Sequence, residues 1–191
     1  MKHAITAVKT EWIERTLFDI PSEAIQSVRV DHTDGDTYKL FKAEKGQENF
    51  EIENLPSGKK LGPEVLINRF GTILQDMQIS GAKSKDNFQD QAESTRIRIT
   101  TFEGVLAEMT AFENDGIAYA SFEFSFDESQ KPSDEEKDKT ENVKQFISEL
   151  NQRTAGWIFE IPAFKYDIVK KHSDRILRDK NQTFSNEKET E

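Results

Sequence analysis

The sequence predicts an α+β fold of two successive βββα units, mostly antiparallel sheets with helices packed on one face, closed by a C-terminal strand and helix. Three observations predict it. Short runs of alternating apolar residues come in threes, each trio is followed by an apolar stripe at helical spacing, and Gly or Pro stands at the breaks.

The first run spans residues 25–30 and places Ile25, Val28 and Val30 among polar neighbours. Asp34-Gly35 follows, then a second run from Tyr38 to Phe41. This is a hairpin signal, because Asp-Gly supplies the positive φ that a tight turn requires. Phe50 and Ile52 mark a third short strand. After Gly62-Pro63, the residues Leu66, Phe70, Ile73, Leu74 and Met77 recur at helical spacing, and Pro63 suits a first turn that needs no backbone N–H.

The order then repeats. Ile97 and Ile99 alternate, an extended run from Val105 to Phe112 follows Gly104, and Ala118, Ala120, Phe122, Phe124 and Phe126 line one face of a third strand. Val143, Phe146, Ile147 and Leu150 form the second helical stripe. The repeat lies in the order of elements, since the letters of the two units share almost nothing.

The segment "GWIFEIPAFKY" (156–166) reads as the seal of the core. Gly156 suits a left-handed helix C-cap. Trp157, Phe159 and Ile161 then share one strand face, opposite Ile158 and Glu160. Pro162 opens a last helix with Phe164, Ile168, His172 and Ile176 near one stripe. A buried Trp157 would cost about 3–5 kcal/mol on truncation to Ala. A shorter echo supports the symmetry: "FDIP" (18–21) and "FEIP" (159–162) each place an apolar-acid-apolar strand end before a Pro-initiated turn.

The predicted organisation is therefore a lead-in (1–24), a first βββα unit (25–83), a linker (84–94), a second unit with closing strand and helix (95–178) and a disordered tail (179–191). Residues 127–142 contain no apolar side chain and read as a mobile loop.

Composition narrows the function classes. Acids outnumber bases 36 to 26, for a net charge of −10. Phosphate backbones and anionic membrane surfaces both demand clustered cations, so nucleic acid is excluded as a partner and lipid contact is expected only through an anchor outside this chain. The absence of Cys rules out disulfides, thiolate metal sites and Cys nucleophiles. Fourteen Phe and two Trp supply a substantial core, each burying roughly 150–250 Å².

Chemical motifs are sparse. "DHTDGDT" gathers Asp31, His32, Asp34 and Asp36, an oxygen-rich set suited to a hard cation. The EF-hand spacing fails, however, because Lys42 stands where a bidentate Glu is needed, and the segment reads as a solvated hairpin turn. His3, His32 and His172 lie in a terminus, a turn and a helix without HExxH spacing, and His172 reads as a boundary residue of the core. No GxSxG elbow, Walker loop or GxGxxG occurs. No catalytic, cofactor-binding or metal residue is therefore assigned. Lys165, Lys170, Lys171, Arg175 and Arg178 concentrate positive charge near the C-terminus and are the candidate partner contacts, against the plainer reading of a solvated helix face. "NQT" (181–183) fits a glycosylation sequon of the kind that arises by chance.

Three segments, "EWIERTLFDIPSEAIQSVRV", "NFEIENLPSG" and "ELNQRTAGWIFEIPAFKYDIV", resemble the bacterial domain-of-unknown-function 4340 family across residues 11–177. The resemblance implies an extracytoplasmic domain tethered to the inner membrane by an N-terminal helix, associated with ABC-type transport or gliding-motility-like genes. The chain departs from that pattern in having no such helix ahead of Trp12, as expected if the anchor lies upstream in a longer protein. The resulting expectation is a non-catalytic interaction module of an envelope transport complex. The alternative is a ligand-binding or hydrolytic domain with its site between the two units.

Overall fold

The computed structural model describes residues 15–87, 93–129 and 137–180. The predicted tail beyond 180, most of the lead-in and the centres of the linker and polar loop lie outside the described residues. The fold is α+β, as predicted, and its centrepiece is an eight-stranded antiparallel sheet in the order β4-β3-β2-β8-β9-β10-β11-β7.

Two three-stranded meanders supply six of those strands. The first consists of β2 (Ile25–His32), β3 (Thr37–Phe41) and β4 (Glu51–Ile52). Gly35 has φ +94° in the turn between β2 and β3, as the Asp-Gly signal requires. The second consists of β8 (Ser94–Thr101), β9 (Val105–Asn114) and β10 (Ile117–Phe126), and positive φ at Asp115 and Gly116 closes a two-residue hairpin. The meanders join through their first strands, with Val28 opposite Ile99 and Val30 opposite Ile97. These four side chains are almost completely buried, so the seam between the predicted units is filled.

The units also exchange elements. Strand β7 (Gly81–Ser84) precedes β8 in sequence yet sits at the far end of the sheet, paired with β11 (Trp157–Glu160). Strand β5 (Lys59–Leu61) pairs with the C-terminal β12 (Leu177–Asp179), and β1 (Thr16–Phe18) pairs with β6 (Met77–Gln78). At the edge of the predicted linker, Ser84 closes β7 and a 3-10 turn follows over Lys85–Asn87.

The helices depart more from the sequence pattern. The first apolar stripe forms only the short α1 (Glu64–Asn68), then a 3-10 turn over Arg69–Thr72, while Met77 belongs to β6. Phe70, Ile73, Leu74 and Met77 are nonetheless buried, whereas Leu66 is only half-buried and its neighbour Ile67 takes the core position, so the spacing identified four of its five residues as core without identifying a continuous helix. The second stripe lies on α2 (Lys137–Thr154), which buries Ile147 and Leu150 but leaves Phe146 39% exposed. Its end is as predicted, with Gly156 at φ +79° just beyond.

The predicted last helix is broken into α3 (Ala163–Val169) and α4 (Ser173–Ile176). The break has a local cause. The Lys171 carbonyl accepts the Tyr38 hydroxyl at 2.6 Å and faces His32 Nε2 at 3.1 Å, while His172 turns extended. Side-chain donors thus take a carbonyl that a continuing helix would have used. Ile168 and Ile176 remain in the core, whereas Phe164 is 53% exposed.

The closing strand β11 seals both faces of the sheet. Phe159 enters the main core beside Phe122, and Ile158 joins Phe112 and Tyr119 in a small cluster on the opposite face. The two tetrapeptides behave alike: Phe18, Ile20, Phe159 and Ile161 are all buried, and Pro21 and Pro162 each precede a helical turn. Trp157 is the correction, at 46% exposed. It is the first residue of the strand and lines an open recess with Phe159, Leu17 and Arg153 instead of being covered by the core.

Burial therefore moves the expected energetic weight from Trp157 to Phe159. In urea denaturation, Phe159→Ala should cost about 3–5 kcal/mol and Trp157→Ala about 1 kcal/mol or less.

Candidate functional site

The five predicted contact cations do not form one surface. Lys165 is buried, and its ammonium donates to the carbonyls of Thr72 and Gln75, the latter at 2.5 Å. It thereby caps the 3-10 turn after α1 from a distant part of the chain. Desolvation holds its pKa below the usual lysine range despite Asp76 and Asp19 nearby. Lys170 pairs with Asp167 at 2.6 Å, and the Lys171 ammonium turns back to the Asp167 carbonyl. Arg175 is exposed on α4, and Arg178 lies in β12 close to Gly62.

Two other places concentrate chemistry. The first joins the β2–β3 turn to the α3–α4 corner, residues 139 apart in the sequence. The His32 and His172 rings stack with centroids 4.1 Å apart and planes 12° from parallel. His172 Nδ1 lies 3.4 Å from Asp36 Oδ2 and 3.5 Å from Asp34 Oδ2. The Ser173 N–H donates to Asp36 Oδ2 at 2.7 Å. His32 Nε2 must donate to the Lys171 carbonyl, which leaves Nδ1 as the acceptor facing Thr95 Oγ1 at 3.2 Å.

The electrostatics follow from that packing. Burial alone would raise the Asp36 carboxyl, but the Ser173 hydrogen bonds and the adjacent His172 and His32 hold it below the usual carboxylate range. Burial pushes the Tyr38 hydroxyl upward, with the Asp36 charge adding to the effect, so Tyr38 remains a donor to Lys171. Asp31, predicted to belong to the same cluster, is instead paired with Arg29 at 2.9 Å.

The second place is the end of the sheet at β7 and β11. Trp157, Phe159, Ala82, Ile79, Leu17 and Arg153 line an open recess of about 360 Å³. Strand β7 is the last strand of the sheet among the described residues. A third feature, a cavity of about 520 Å³, lies between α2 and the β8–β9 turn. Ile20, Val105, Val143 and Phe146 line it, together with Asp19, Glu23 and a Lys45–Glu103 ion pair at 2.9 Å.

The sequence signalled the turn acids and His32 but gave no sign of their union with His172. That contact depends on the break between α3 and α4. Compared with protein-family models, curated proteins and solved structures, the chain matches none.

The lowered Asp36 pKa has a definite sign. It contributes stability in full above the ordinary Asp value of about 3.9, and that contribution is lost as pH falls through the lower folded value. Asp36→Asn should therefore lower the melting temperature at pH 7. It should also lose less than the parent chain between pH 4 and pH 2, as followed by thermal melts.

Proposed function

We propose that the protein is a non-catalytic interaction module, an auxiliary subunit of a bacterial envelope complex of ABC-transport type. The observation that carries this reading is Trp157, a large aromatic left exposed at the sheet end beside Arg153 and above an open apolar recess. Trp and Arg are the residues most often found at the energetic centre of protein interfaces. An end strand adds main-chain donors and acceptors that an extended partner segment can pair with. The partner is a protein segment that lays against β7, inserts an apolar side chain into the recess and offers a carboxylate to Arg153.

The resemblance of the three quoted segments to the 4340 family supports the assignment to a transport-associated complex and to the extracytoplasmic side. In this reading tethering comes from an anchor outside this chain; among the described residues no helix is long and apolar enough to cross a membrane. A second reading, small-ligand binding, is favoured by the cavity under α2 and not by the filled seam between the meanders. Its ligand would need an apolar body and a cationic group to meet Asp19 and Glu23, since Glu103 is already paired with Lys45 at 2.9 Å.

A pull-down from native membranes tests the docking reading. The parent domain should recover a transport component, and Trp157→Ala or Arg153→Ala should lower that recovery at least tenfold while leaving circular dichroism unchanged. Equal recovery by these variants, or no transport component above background, would refute it.

A further inference from the structure

We infer that the β2–β3 turn and the α3–α4 corner together form a binding site for a divalent transition metal of the zinc class. Its ligands are His32, Asp36 and His172, and Asp34 completes the set. Each of the first three residues offers one ligand atom, and those atoms lie within 4.8 Å of one another. Two metal–ligand bonds of about 2.1 Å hold their donor atoms about 3.0–3.4 Å apart at octahedral to tetrahedral angles. Before any rearrangement His172 Nδ1 stands 3.4 Å from Asp36 Oδ2 and 3.5 Å from Asp34 Oδ2, which places the ring within a short rotation of both carboxylates.

The surroundings have the form of an outer shell. A metal-binding imidazole ordinarily donates its other ring N–H to a carbonyl or carboxylate, which fixes the tautomer. His32 does this through Nε2 to the Lys171 carbonyl, so its lone pair sits on Nδ1. Asp36 is oriented by the Ser173 N–H, and Asp34 Oδ1 accepts the Asp36 N–H at 3.1 Å. Two imidazoles with two carboxylates suit zinc, nickel or cobalt better than calcium or magnesium, which prefer all-oxygen sets.

One rearrangement is required. A bound ion must lie close to the plane of each coordinating ring, and stacked parallel rings cannot both satisfy that condition. His172 is the ring that turns, because it stands half-exposed at the helix break while His32 is pinned on both nitrogens. His32 Nδ1 then exchanges its hydrogen bond with Thr95 for the metal.

Titration calorimetry with zinc chloride on the full chain is the test, run alongside His32→Ala, His172→Ala, Asp36→Asn and His3→Ala. The expected result is one ion per chain and a zinc-dependent rise in melting temperature. Each of the first three variants should lose at least tenfold in affinity, and His3→Ala should not change it. His172→Gln provides a second variant in case His172→Ala is poorly folded. Failure to bind one equivalent would overturn the site, as would affinity unchanged by removal of His32 or His172, or loss of binding in His3→Ala alone.

Discussion

The ladder between β2 and β8 is the constraint on which the rest of the structure depends. Seven residue pairs run from Ile25 opposite Thr101 to His32 opposite Thr95, and they join the two meanders into one sheet. Its core face is held by Val28, Val30, Ile97 and Ile99. Its other face places Arg29 directly opposite Arg98, a like-charge pair that would weaken the ladder if left alone. Asp31 pairs with Arg29 and Glu108 with Arg98, so each guanidinium has its own carboxylate. A one-residue slip would exchange the two faces and send these ion pairs into the core, so the register is strongly specified.

That register also builds the histidine cluster. Thr95 is the partner of His32 across the ladder, and its hydroxyl meets His32 Nδ1. With His32 held there and Tyr38 reaching the same carbonyl, the chain at Lys171 is drawn out of its helix and His172 comes over the β2–β3 turn. The exposed edge at Trp157 arises differently, from the closing strand, which is spent on the core at Ile158 and Phe159 before Trp157 has anything to cover it. The sheet therefore carries two separate chemistries, a polar cluster against its first hairpin and an aromatic recess at its far end.

The features legible in the sequence were those with a local cause. Asp34-Gly35 and Gly156 declared their turns because positive φ is a property of single residues. The strand alternation and the paired "FDIP" and "FEIP" tetrapeptides declared their burial through local spacing. What stayed hidden depends on distant partners. Lys165 reads as one more surface cation until the carbonyls of Thr72 and Gln75 are seen to receive it. The stripe from Phe164 to Ile176 reads as one helix until Tyr38 and His32 take the Lys171 carbonyl. Trp157 reads as core because periodicity assigns a strand face but not the length over which that face is covered.

Native-state hydrogen exchange across β2 and β8 tests the central claim most directly. If the seam unites the meanders into one cooperative unit, the slowest amides of both strands should exchange only through global unfolding. They should then share its free energy and its denaturant dependence. If one meander exchanges through a smaller opening while the other stays protected, the two are independent modules and the seam is not what holds the structure together.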